Sequence, residues 1–127
     1  MDLAALEYPV PRLCLGRALR GLATSCIDIS DGLLADLGHI LEASATGAEL
    51  ELQSLPCPHS MSSRPARVRW PLQLSGGDDY ELGFTLPAAF RNRLPELSRI
   101  AQIELTVIGA VTGQAGLVVR EPGGSLY

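Results

Sequence analysis

The stretch Ile27–Ile40, IDISDGLLADLGHI, changes its hydrophobic period within a few residues, and that switch constrains the fold more than any other feature of the chain. Up to Ile29 the pattern alternates: Ile27 and Ile29 fall on one face, and Thr24, Cys26, Asp28 and Ser30 fall on the other, as in a half-buried strand. From Gly32 the spacing becomes helical, with Leu33, Leu37, Ile40, Leu41 and Ser44 on one side, which predicts a helix over 32–45 ended by Gly47. A strand that leads directly into an amphipathic helix needs other elements to cover both apolar faces. With 127 residues and 46% hydrophobic content, the chain can supply them within one globular domain.

The remaining elements are read in the same way. After the proline-containing entry YPVPR, Leu15, Leu19 and Leu22 predict a short helix over 13–22, loosened at its end by Gly21. Ala48–Leu52 reads as a strand, whereas the region 53–71, centred on LPCPHSMSSRPARVRWP, is rich in Pro, Ser and Arg without a period and reads as an irregular loop with one helical turn. In QLSGGDDYELGFTL, Tyr80, Leu82, Phe84 and Leu86 alternate with Glu81, Gly83 and Thr85, so Gly76–Asp79 is a tight turn feeding a strand. Pro87 suits the start of a helix that reaches about Leu94, where Pro95 interrupts or restarts it. Leu105–Ile108 and Leu117–Arg120 read as closing strands, joined through the turn Thr112–Gly116, and 121–127 as a loose tail.

Charge removes several functional classes. A net charge of -4 with scattered arginines gives no electrostatic footprint for nucleic acid, and no apolar run is long enough to cross a membrane. The opening MDLAALEYPV lacks the basic start and cleavage site of a signal peptide, so the expected location is cytoplasmic. All ten basic side chains are arginine, which excludes a phosphate-loop lysine or a Schiff base within this chain. Cys14, Cys26 and Cys57 form no CxxC pair and are expected to be small buried hydrophobes.

Two acidic turns remain as candidate sites. Asp28, Ser30 and Asp31 cluster where the strand becomes a helix, beyond the carboxyl end of a strand, a common ligand position in open sheets. Ser30 or Asp31 can serve simply as an N-cap, worth about 1 kcal/mol. Asp28 has no such use, and an Asp-x-x-Asp pair is enough to hold one edge of a magnesium–phosphate complex. In SGGDDYEL, Gly76 and Gly77 with Asp78 or Asp79 make either a plain turn or a close approach to a ligand. His39, three residues from both Asp36 and Glu42, reads as part of a solvated ion-pair face; His59 lacks companions for zinc.

Taken together, YPVPRLCLGRALRGLATSCIDISDGLLADLGHILEAS, GAELEL, LSGGDDYELGFT and TVIGAVTGQAGL resemble the C-terminal domain of the thiamine-monophosphate kinases. That family belongs to the superfamily of aminoimidazole ribonucleotide synthetase and selenophosphate synthetase. The resemblance implies an α+β fold, an α/β sandwich with a mixed sheet packed by helices. It implies transfer of the γ-phosphoryl group of ATP to thiamine monophosphate, with Mg²⁺ held by Asp28 and Asp31, a nucleotide contact at Ser30 and a substrate contact at Asp78. Asp78 replaces the family's commoner Glu, one methylene longer. The family's N-terminal half, which carries further Asp-rich motifs and the homodimer contacts, has no counterpart here, so the chain alone is expected to be catalytically incomplete. A ligand-binding or assembly module that keeps the fold without the chemistry is the alternative.

Overall fold

A computed structural model of the chain describes residues 13–57, 59–75 and 81–127. The elements run α1 (Leu13–Ala18), β1 (Ser25–Ile29), α2 (Leu33–Ser44), β2 (Gly47–Glu51), α3 (Ala66–Ser75), β3 (Glu81–Thr85), α4 (Leu94–Ala101), β4 (Gly109–Thr112) and β5 (Gly116–Arg120). Short 3₁₀ turns occupy Leu52–Ser54, His59–Met61 and Ala88–Arg93. β1 and β3 form an antiparallel pair, while β2 lies centrally in a mixed sheet, antiparallel to β4 and parallel to β5. Helices and mixed strands in this arrangement are the expected α+β fold.

Two apolar clusters hold the layers together. Leu15 and Leu19 of the α1 region meet Leu97 of α4 against Leu82 and Phe84 of β3. Leu52, Leu55 and Leu74 form the second cluster, with Leu33 and Leu34 from α2, Trp70 from α3, Ile108 and Val119. Leu105 belongs to the first cluster and Ile108 to the second, so the apolar run expected as a strand over 105–108 instead connects the two cores. The strand itself begins at Gly109, where a β-carbon would strike the carbonyl oxygen of Glu49 on the neighbouring strand.

The expected irregular loop ends in α3, a helix with Pro71 inside it. A mid-helix proline costs about 3 kcal/mol. Burial of Leu74 and partial burial of Trp70, one turn apart on the same side, offset that cost. The tail is also ordered by hydrogen bonds: the Glu121 amide donates to the Ser125 carbonyl at 2.8 Å, and the Tyr127 amide to Val119 at 2.9 Å. The Tyr127 ring stands edge-on to Trp70, centroids 6.0 Å apart.

α2 ends at Ala45, not at Gly47. Ala45 takes the left-handed conformation (φ 52°), and the Thr46 amide closes the cap on the Leu41 carbonyl at 3.0 Å. Gly47 opens β2, where a β-carbon would collide with the carbonyl oxygens of Gln114 and Gly116. Ala45→Gly should therefore stabilise the domain by about 0.5 kcal/mol, since it relieves the left-handed Cβ contact while adding freedom to the unfolded chain. An upward shift of the urea midpoint with unchanged slope is the expected readout, and a downward shift would contradict it.

Candidate functional site

The acidic turn Ser30–Gly32 leaves β1 at the end where β3 enters, because Ile29 pairs with Glu81 and Asp28 with Leu82. Ile29 is buried and Ile27 half-buried, which leaves Cys26, Asp28 and Ser30 exposed on the opposite face, as the alternation predicts. Asp31 is exposed as well. Asp28 and Ser30 thus share one solvent-facing side at the end of β1, and Asp31 is exposed one residue further on.

Neither Ser30 nor Asp31 caps the helix. Gly32 stands at the N-cap with no side-chain hydrogen bond, and its carbonyl accepts the Asp36 amide at 3.0 Å. Its backbone angles, φ 121° and ψ 153°, lie in a region essentially reserved for glycine. A β-carbon on Gly32 would also lie 3.0 Å from the Ser75 carbonyl oxygen at the end of α3. The turn is therefore shaped by its backbone and by α3, and its side chains are not consumed in capping.

Asp36 is the residue that the sequence reading placed wrongly. It is 4% exposed, not part of a solvated face with His39, and its Oδ2 accepts the Ser30 amide at 2.8 Å and the Asp31 amide at 3.0 Å. One helical turn beyond Gly32, the side chain turns back under the loop and satisfies two backbone donors of the segment that precedes the helix. An acidic residue within the first turn was the available signal, and its pairing with the preceding loop was not readable from helical spacing.

The donor set fits magnesium. A hard cation that keeps several waters needs one or two carboxylates, and no described residue forms an ion pair with Asp28 or Asp31. Among the described residues no three His, Cys, Asp and Glu side chains gather into a closed metal cage. Asp78 lies outside the described residues, as do Gly76, Gly77 and Tyr80. Its described flanks both abut the acidic turn: Ser75 backs Gly32, and Glu81 pairs with Ile29. A shallow groove of about 420 Å³ between α1 and α4, lined by Cys14, Arg17, Leu22, Glu96 and Ile100, includes none of Asp28, Ser30, Asp31 and Asp36.

The cysteines are less buried than expected. Cys14 and Cys26 are exposed, and half-buried Cys57 accepts a hydrogen bond from Arg69 Nη1 at 3.2 Å. Partial desolvation of the Cys26 sulfur, and then the nearby Asp28 carboxylate, raise the Cys26 thiol above its usual range. Removing that charge eases thiolate formation. Asp28→Asn should therefore speed alkylation of Cys26 at mildly alkaline pH, read by peptide mass spectrometry; an unchanged pH profile would mean that Asp28 exerts no field on this face.

No protein-family model matches the chain. Thiamine-monophosphate kinase of Haemophilus influenzae is 43% identical over 109 residues, which cover 85% of this chain and 33% of that protein. The Escherichia coli K12 enzyme of the same name is 45% identical over 107 residues, covering 82% and 32%. The crystal structure of thiamine-monophosphate kinase from Stenotrophomonas maltophilia superposes with a TM-score of 0.85 at 41% identity, covering 91% of this chain and 37% of that one. AaThiL complexed with AMPPCP and TMP shares the fold, with a TM-score of 0.74 at 24% identity and coverage of 98% and 39%. The chain spans about a third of the length of the relatives it matches. Over that third, sequence and fold agree, and the chain is a homologue of the thiamine-monophosphate kinases.

Proposed function

We propose that this chain is the C-terminal part of an ATP- and Mg²⁺-dependent thiamine-monophosphate kinase, which converts ATP and thiamine monophosphate to ADP and thiamine diphosphate. The observation that carries the reading is the exposed, unneutralised pair Asp28 and Asp31 on a backbone-defined turn, in a chain 43% identical to an enzyme of that name. When bound, magnesium supplies charge neutralisation on the transferred phosphoryl group, the main requirement of this chemistry. Asp28 and Asp31 would hold the ion. Ser30, exposed between them, offers a hydroxyl to the nucleotide, and Asp78 meets the thiamine substrate.

The site is one-sided, as the shared length implies. The other two thirds of the relatives would supply the facing nucleotide contacts and, by family resemblance, the homodimer interface. Among the described residues no helix is long and apolar enough to cross a membrane, and a cytoplasmic location follows from the proposed substrates. The test is a chimera in which this chain replaces the matching third of the Escherichia coli enzyme. Formation of thiamine diphosphate from ATP and thiamine monophosphate supports the reading. A folded chimera that binds ligand but transfers nothing favours the non-catalytic module.

A further inference from the structure

The groove between α1 and α4 is built unlike a small-molecule pocket. Buried Leu97 lines it together with half-buried Leu22, and Ile100 is left 53% exposed there. Its charged groups all face solvent: Arg93 and Glu96 pair with each other at 3.1 Å, and Arg17 has no ion-pair partner among the described residues. Small ligands are oriented by a few convergent polar groups inside a pocket, and every polar side chain lining this groove is exposed. An apolar trough with an unpaired arginine suits a short amphipathic, acidic length of polypeptide.

The chain carries such a length just before α1. Residues 1–12 lie outside the described residues, and their sequence, MDLAALEYPVPR, sets Leu3 and Leu6 three apart with Asp2 and Glu7 flanking them. At helical spacing the two leucines share one side, with an acid at each end. Pro9 and Pro11 favour an extended connection of about 3 Å per residue, so residues 8–12 are long enough to cross the roughly 10 Å between neighbouring helix axes. α1 begins at Leu13 and presents Cys14 and Arg17 to the groove.

We infer that residues 2–7 fold back along α1 and fill this groove within the same molecule, with Leu3 and Leu6 over Leu22, Leu97 and Ile100. Glu7, the acid closest in sequence to α1, meets Arg17, which lies about one turn into that helix. A tether of five residues holds the segment at an effective concentration of about a millimolar, far above that of a second copy in dilute solution. Docking covers the outward side of α1, a six-residue helix too short to persist without packing, whose Leu15 is already buried in the first cluster. The groove is thus a docking face for the chain itself and takes no small ligand.

The test uses the whole chain and two readouts. Methyl cross-relaxation spectra should connect Leu3 or Leu6 to Ile100, and a mixture of labelled and unlabelled chains should show these cross-peaks only within one molecule. In the variant carrying Leu3→Ser and Leu6→Ser the cross-peaks should vanish, and alkylation of Cys14, read by peptide mass spectrometry, should quicken about tenfold as its cover leaves. Cys26, outside the groove, should react at its former rate.

Absent cross-peaks with an unchanged Cys14 rate would mean that the groove stays open, which overturns the inference. Cross-peaks between molecules would give the groove to a second copy and overturn it equally. If both cysteines speed up, the serine variant has loosened the domain, and the charge pair decides instead. Glu7→Arg and Arg17→Glu should each weaken the cross-peaks and together restore them, whereas a combined variant weaker than either single one would overturn the docking of Glu7 on Arg17.

Discussion

Asp31→Asn in the chimeric kinase should lower turnover by about a hundredfold or more, the scale on which removal of one preorganised charge-stabilising group acts, while the thermal transition stays in place. Asp31 is exposed and does not cap α2, so its loss removes no packing and no helix-end hydrogen bond from its side chain. Asparagine keeps the shape and loses the charge. The magnesium concentration for half-maximal activity should rise, and Asp28→Asn should behave alike. If the two aspartates act on one ion, the double variant should be far less impaired than the product of the single effects. Full turnover in either single variant would remove it from the metal site. A parallel loss of stability would mean that the residue is structural after all.

The second large effect is on stability. Leu52→Ala should cost about 3 kcal/mol and lower the melting temperature by roughly 10 °C, because the residue is 2% exposed and its truncation opens a cavity in a packed cluster. Leu52 follows β2 in a 3₁₀ turn and packs with Leu55, Leu74 and Trp70. Leu74 precedes Ser75, whose backbone supports Gly32. The substitution should thus loosen the C-terminal end of α3 and, through it, the acidic turn. Circular dichroism melting measures the first effect. Faster amide exchange at Gly32, with exchange unchanged in the other cluster at Leu15 and Leu19, would show the second. A shift below about 1 kcal/mol would mean that the second cluster repacks around the gap.

Much of this was legible because periodicity and burial agree. The switch from alternation to helical spacing at Ile29–Leu33 is where β1 gives way to α2, and the exposed face carrying Asp28 and Ser30 was readable from the same pattern. The errors occurred where tertiary contacts overrule local rules. α3 contains a proline and a weak apolar pattern, and is held by the burial of Leu74 and Trp70. Leu105–Ile108 has strand-like residues but serves two cores. Asp36 lies in a polar-looking position, and its inward turn depends on where the preceding loop passes. Ala45 ends a helix although Gly47 is two residues away, because Gly47 is needed where β2 meets the loop before β5.

The strand pairings also bear on how the domain is made. Ile29 meets Glu81, and Gly47 meets Gly116, so each sheet joins residues separated by a large part of the chain. Such pairings close long loops before any stabilising contact forms, and domains dominated by them fold in milliseconds to seconds instead of microseconds. The acidic turn owes its surroundings to one of these late encounters, since β3 must reach β1 before the edge beyond Ile29 is complete. A nascent chain halted before Glu81 is expected to carry the Asp28–Asp31 sequence without the framework that turns it into a site.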